Sequence, residues 1–428
     1  MVLLGRLQEA VVVLHQSGFE LWYQESGRRG IKTEDMPVIR VPDVVLQKLA
    51  KQEKILPWMR FNKSALKQAY TNKVVLKGFR LADFLSRSRL PSIKNAKPFV
   101  KGADWVILTR NDGPRMVISE DGYILLLYIP NYFDDENRAL MERTLDAYTS
   151  VVPPKIDNDK GDKRSSRRYL PFLDTGSLGD NHTPAKQVDE DWAEYLGSPL
   201  ADESHSGLPW INPSPTFPPQ RHSMDPASFH HCLGWFARGQ YGRKPPVVST
   251  ELRAAFKSKE TLEDFIAHHI GKSMADHRIN DLIMHLHPTF YQLMCRLRNE
   301  LFEAELPPPV LWDVWSSIFT FQSVGFNRQT EMHRDAAGMH GGLDVLFLLG
   351  DHTGGRMRWP DLPVKADWLP GDLCAFDGKI LSHGIERWSG SKRLCFIYFA
   401  HRNVLSHFGL PDTCCYPSES EIVKTLDL

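Results

Sequence analysis

Apolar residues recur along this chain at two different periods. Near the start, Leu3, Leu4, Leu7, Val11 and Leu14 fall at helical spacing, with Arg6, Gln8 and Glu9 between them, and predict an amphipathic helix. The run DWVILTRNDGPRMVISEDGYILLLYIP reads as successive strands, with turn signals at residues 111–114 and 120–122. Residues 134–150 predict a helix opened by Asp134 and Asp135, with Leu140, Met141, Leu145 and Tyr148 on one face. Two more helices are expected at about 251–270 and 275–304, the second kinked or broken at Pro288. In the final third the pattern changes. The segments SSIFTFQSV, LDVLFLLG, GRMRWPD, GDLCAFDG, SHGIERW and RLCFIYFAH are short strands divided by Gly, Pro and Asp turns. Many short strands so close together indicate a sandwich or jelly roll, and the expectation is an α+β chain with a double-stranded β-helix (jelly-roll) core and supporting helices.

At 428 residues the chain is long enough for two or three units, or for one enlarged enzyme core. Its 42% hydrophobic and 24% charged residues exclude a mostly disordered chain, a collagen-like repeat and a small disulfide scaffold. The pattern divides it into an N-terminal α+β region over 1–150, a charged, proline-rich, partly disordered insert over 151–228, and helices plus the β-rich core over 229–428. None of the six cysteines stands in a CxxC pair, and adjacent Cys414 and Cys415 do not easily bridge each other, so a reduced intracellular protein with buried thiols is expected. No run approaches the ~18 uncharged residues of a membrane helix, and the start does not read as a signal peptide, so no membrane partner is expected.

Lys+Arg and Asp+Glu are both 52, so global charge does not announce a polyanionic partner. Locally the charges separate. Residues 44–101 carry fourteen basic side chains against Glu53 and Asp83, and residues 174–203 carry eight acids against Lys186. The basic stretch also holds Trp58, Phe61, Tyr70, Phe79 and Phe84, a mixture that suits a polyanion surface but equally a solvated helical face. Lys160, Lys163, Arg164, Arg167 and Arg168 read as phosphate contacts, a nuclear-import signal or a plain surface loop. Residues 229–246 are aromatic, basic and glycine-rich, with Arg238 and Lys244.

The residues that carry chemistry lie in the β-rich third. His333 and Asp335 are two positions apart, and on an extended segment such residues face the same way. His383 follows in another strand-like run. Two histidines and one carboxylate leave open positions on a six-coordinate metal, the ligand set of non-haem Fe(II) oxygenases. By itself the HxD spacing is also what a loop salt bridge or a core histidine would give. The strand pattern around it, the turn Pro370-Gly371-Asp372 before the second histidine and the basic Arg393 after it make the metal reading specific. The cosubstrate of this chemistry, 2-oxoglutarate, needs a cation at its distal carboxylate. Arg393 opens an otherwise apolar strand and its fork suits a carboxylate; Arg328 is a second candidate.

HxD, a distant His, Arg393 ten positions beyond His383 and His401 a further eight along together resemble the TET/JBP dioxygenases, in their compact fungal and protist form without a cysteine-rich zinc domain. The likeness is densest over residues 316–410. It implies that His333, Asp335 and His383 bind Fe(II), that Arg393 and Arg328 bind 2-oxoglutarate, and that His401 hydrogen-bonds a flipped base. Ile397, Phe399 and, more weakly, Ser316 would line the cosubstrate and methyl pocket. It further implies oxidation by O2 of 5-methylcytosine in double-stranded DNA to the hydroxymethyl, formyl and carboxyl forms, by a nuclear enzyme expected to be a monomer. One departure stands out. Family members often carry a polar or acidic residue three positions after the metal aspartate, where this chain has Gly338. Asp344, which interrupts an apolar run, is expected to accept from the base amine instead, and Gly338 to admit a bulkier base such as N6-methyladenine. The basic stretch and the Arg238–Lys244 segment then become expected DNA contacts. An N-methyl demethylase of the AlkB type, a protein hydroxylase and a non-catalytic jelly-roll module that binds DNA or partners remain alternatives at this point.

Overall fold

The structure is a computed structural model and describes residues 55–86, 105–156, 227–236, 241–242, 244–306, 309–328, 330, 332–335, 337–386 and 388–428. The N-terminal amphipathic helix, much of the basic stretch, residues 157–226 of the insert and residues 237–240 therefore lie outside the described residues. Of the basic side chains that are described, Lys63, Lys77 and Arg80 are exposed, whereas Lys73 is paired with Glu419.

Thirteen strands form two sheets among the described residues. They are β1 (Val74–Leu76), β2 (Val106–Leu108), β3 (Arg115–Ser119), β4 (Ile124–Ile129), β5 (Lys155–Ile156), β6 (Ala227–Cys232), β7 (Phe321–Phe326), β8 (Asp344–Gly354), β9 (Met357–Trp359), β10 (Val364–Ala366), β11 (Leu373–Phe376), β12 (Gly384–Ile385) and β13 (Trp388–Phe399). The larger sheet runs β1-β3-β4-β11-β8-β13-β7-β6-β5 and the smaller β12-β9-β10-β2. An isolated antiparallel bridge between His333 and His383 extends the smaller sheet's edge. From β7 onward the chain alternates between the two sheets, as a double-stranded β-helix requires: β8, β11 and β13 go to one, β9, β10 and β12 to the other.

The sequence-predicted N-terminal unit shares this sheet, since β4 pairs with β11 along Leu126–Ile129. The turn at residues 111–114 does not close a hairpin. It separates β2, which joins the smaller sheet beside β10, from β3, which joins the larger. β5 pairs with β6, so residues 155–156 and 227–228 belong to the sheet, and the chain leaves and re-enters it at adjacent strands.

A helical layer covers the outer face of the larger sheet. Asp134 caps the helix Asp135–Val151 by accepting from the Asn137 N–H, as its sequence position predicted. The two expected central helices are four: Thr250–Ala254, Lys259–Gly271, Ser273–Leu286 and Pro288–Glu303. Ser258 and Thr261 form a capping box that starts the second of them anew. Pro288 opens the last helix at its first position, where a missing N–H leaves nothing unsatisfied, so the break falls at His287. Two cores result. One lies between helices and sheet and includes Leu282, Phe290, Phe347, Phe396 and Tyr398. The other lies between the sheets and includes Leu348, Trp359, Trp368, Phe376 and Cys395. The six cysteines are free; Cys232, Cys374 and Cys395 are buried and Cys415 is exposed, and no described helix is long and apolar enough to cross a membrane.

The helical layer is tied to β6 by a buried histidine cluster. The Tyr148 hydroxyl lies 3.2 Å from His231 Nε2, His231 Nδ1 lies 3.3 Å from His269 Nε2, and His268 stacks on Tyr148 at 5.7 Å. Burial, with Lys272 nearby, pushes His268 down to about 3 and holds His231 and His269 well below the ordinary imidazole value. The unfolded chain takes up these protons near pH 6.5 and the folded one does not. The contribution of His268 is therefore complete above about pH 6.5 and is lost as the pH falls toward 3, and His231 and His269 act in the same direction. The urea midpoint is expected to drop by a large fraction between pH 7 and pH 5.5; equal midpoints would refute a neutral cluster.

Candidate metal and cosubstrate site

β13 builds one wall of the site by simple alternation. Gly390, with φ of +145°, and Gly350, with φ of +104°, let β13 and β8 approach closely around a bulge between Gly390 and Lys392: a Cβ on Gly350 would meet the Lys392 carbonyl oxygen at 2.3 Å. Beyond the bulge, Leu394, Phe396 and Tyr398 enter the helical core. Arg393, Cys395, Ile397 and Phe399 face the opposite way, into a cavity of about 430 Å³ between the sheets, followed by His401.

At one side of this cavity His333, Asp335 and His383 bring their donor atoms within 4.8 Å of one another. Asp335 Oδ1 lies 3.8 Å from His333 Nε2 and Asp335 Oδ2 lies 3.5 Å from His383 Nε2. One turn, residues 378–383, orients all three. His333 and His383 exchange two backbone hydrogen bonds of 2.9 Å, and the Asp335 N–H donates to the Gly378 carbonyl at 2.8 Å. His383 Nδ1 lies 3.0 Å from the Leu381 carbonyl, which fixes the tautomer and aims Nε2 toward Asp335.

Arg393 is 1% exposed. Its Nη1 donates to the Arg328 carbonyl at 3.3 Å, while its Nε and Nη2 have no hydrogen-bond partner. Burial first, and the neighbouring Arg328 cation as well, pull its pKa below the usual guanidinium value. A fully buried fork with two orphaned N–H groups, opening on the metal triad's cavity, is complementary to a carboxylate. Arg328 lines the same cavity. The residues present thus fit Fe(II) and 2-oxoglutarate: a two-His, one-carboxylate set with an unsatisfied arginine beside it.

Further along, His401 has an unpartnered Nδ1. Burial, followed by Arg402 and Lys379, pushes it down to about 4. It is neutral at ordinary pH, with one ring nitrogen to donate and one to accept. Trp235 packs edge-on against it at 5.5 Å.

Asp344 and Gly338 also line the cavity, but each is committed to the metal arm. A Cβ on Gly378 would lie 2.3 Å from Asp344 Oδ2 and 2.9 Å from Asp335 Oδ2. Asp344 therefore sits beside Asp335 of the triad. It accepts from the Gly378 N–H, and burial first, then Asp335 and Asp377, raise its pKa well above the carboxylate norm. Gly338 bridges to His401. A Cβ there would meet the Asp335 carbonyl at 3.1 Å and Lys379 Cβ at 3.4 Å, so the position is closely packed on both sides. Ser316 is the correction. It does not line the cavity, because its hydroxyl donates to Asp276 at 2.8 Å under the helical layer. Ser323, on β7, lines the cavity instead, hydrogen-bonded at 2.6 Å to His230. Trp235, His230, Ser323 and Leu346 escaped the sequence reading. Period-two counting along β7 and β8 offered a signal for Ser323 and Leu346; nothing local marked His230 or Trp235.

Residues 235–402 match the family model for the TET/JBP group, described as the oxygenase domain of the 2OGFeDO superfamily. No curated protein matches the chain. Among solved structures, one of NgTET1 in complex with 5mC DNA is similar at 13% identity and a TM-score of 0.40, over 86% of this chain and 97% of that one.

Proposed function

On the premise that residues 235–402 are a TET/JBP oxygenase domain of the 2OGFeDO superfamily, a superfamily that uses Fe(II) and 2-oxoglutarate, we propose that this protein oxidises the methyl group of a methylated base flipped out of double-stranded DNA. The observation that carries the reading is one cavity in which three groups meet: the triad of His333, Asp335 and His383, the partly unpaired guanidinium of Arg393, and a neutral His401 whose Nδ1 has no partner. Its volume of about 430 Å³ falls within the range of small-molecule sites.

With both cofactors bound, the centre activates O2 so that 2-oxoglutarate is converted to succinate and CO2 while an unactivated C–H bond is hydroxylated. The chain's own residues supply placement. Arg393 holds the distal carboxylate of 2-oxoglutarate. His401 hydrogen-bonds the polar edge of the base, acting as donor or acceptor without a charge. Ile397, Phe399 and Leu346 line the space between with apolar surface and exclude water. A base inside a duplex cannot enter such a cavity, so the nucleotide must flip. We assign phosphate contacts to the exposed Lys63, Lys77 and Arg80 and, with a DNA substrate, a nuclear location to the protein.

Incubation of methylated duplexes with protein, Fe(II) and 2-oxoglutarate, followed by nucleoside mass spectrometry, tests the proposal. A retained hydroxymethyl on cytosine is expected, with formyl and carboxyl forms following; formaldehyde release with an unmodified base would show N-demethylation instead. Gly338→Asp and Asp344→Ala variants compared on 5-methylcytosine and N6-methyladenine substrates test base choice. An unchanged ratio of turnover removes these two residues from it.

A further inference from the structure

We propose that Asp361 is the positioning residue that locks the two arms of the metal triad together; the inference rests on reading His333, Asp335 and His383 as a metal centre. The triad comes from two separate pieces of backbone, residues 333–335 and residue 383. Arg334 stands between the two ligands of the first piece, and Ser382 immediately precedes the ligand of the second. Both are held by one carboxylate. Arg334 Nη2 donates to Asp361 Oδ1 at 3.0 Å and to Oδ2 at 2.9 Å. The Ser382 N–H and hydroxyl both donate to Asp361 Oδ2 at 2.6 Å. Arg334 Nε reaches past Asp361 to the Ile380 carbonyl at 2.7 Å, which ties the same arginine to the turn that carries His383.

Asp361 is 1% exposed. It lies between β9 and β10 beside Trp359, Leu362 and Val364 of the inter-sheet core. In that apolar setting a charge-assisted bond keeps most of its strength, and losing one partner leaves an uncompensated buried charge. The backbone exchange between His333 and His383 sets their register but does not tie the side-chain layer around the two arms. A carboxylate bonded to the residue next to each ligand does. Outer groups that orient ligands typically account for 10- to 100-fold in metal affinity.

The test is metal affinity, read apart from turnover. Metal-free protein is titrated anaerobically with Fe(II), and in parallel with Co(II) followed by its d–d absorption, for the parent, Asp361→Asn, Ser382→Ala and His383→Ala. The Asn amide keeps the shape but turns a donor toward donors, so Asp361→Asn is expected to raise the metal Kd roughly 10- to 100-fold and to shift the Co(II) band. Saturating metal should restore much of kcat. Ser382→Ala keeps the ion pair and loses one of its two bonds to Asp361; a several-fold rise is expected, and this variant decides the matter if Asp361→Asn does not fold. Metal Kd values within about twofold of the parent, alongside a lowered Tm, would make Asp361 a structural anchor only. If the parent binds metal no better than His383→Ala, the metal-centre reading fails first and this inference with it.

Discussion

Replacing Arg393 with methionine is expected to raise the melting temperature of the ligand-free protein and to abolish its stabilisation by 2-oxoglutarate. Arg393 is fully buried with two N–H groups unpaired. In the ligand-free fold this is a desolvated cation without a counter-charge, and its neighbour Arg328 makes matters worse. Methionine fills a similar volume without a charge. Replacing buried ionic groups by well-packed apolar ones is often stabilising by about 1–4 kcal/mol. The same substitution removes the partner of a buried carboxylate, which costs about 2–5 kcal/mol in binding, roughly 30-fold to several thousand-fold in Kd. The two effects have opposite signs. Thermal unfolding with and without 2-oxoglutarate reads both, because a ligand that binds only the folded state raises stability as its concentration passes Kd. A variant that melts lower than the parent without ligand would mean that Arg393 serves the fold rather than the cosubstrate.

The second large effect is expected at a residue that carries no side chain. Gly378→Ala places a methyl group 2.3 Å from Asp344 Oδ2 and 2.9 Å from the ligand oxygen Asp335 Oδ2, with His383 Cε1 at 3.3 Å. Real Cβ atoms do not tolerate the first two distances. The carboxylates have little room to yield, since Asp344 is buried in β8 and the Asp335 N–H is bonded to the Gly378 carbonyl itself. The alanine must therefore push Asp335 off the triad or move the turn that orients all three ligands. Metal affinity and turnover should fall by more than the 10- to 100-fold typical of an outer-shell change, approaching His383→Ala. Anaerobic Fe(II) titration gives the answer, and parent-like affinity in Gly378→Ala would contradict the geometry described for this turn.

How much of this was legible in the sequence depends on the range of the interaction concerned. His333 and Asp335 share a face because an extended chain alternates, and Arg393, Ile397, Phe399 and His401 share the cavity wall for the same reason. The density of short strands divided by Gly, Pro and Asp turns assigned the β-rich third to a sandwich or jelly roll. Ser316 was misplaced because it precedes β7, where no strand periodicity governs direction, and Asp276 on a distant helix captures its hydroxyl.

The amino-acid sequence by itself determined the ligand types, their pairing along each strand and the need of Arg393 for an anion, since these follow from side-chain chemistry and a two-residue repeat. Only the tertiary structure decided that Asp344 abuts the metal carboxylate, that Trp235 and His230 enter the cavity, and that Asp361 joins the two arms. Most of those contacts span tens to hundreds of residues, and their partners are chosen by how the sheets close rather than by any local pattern.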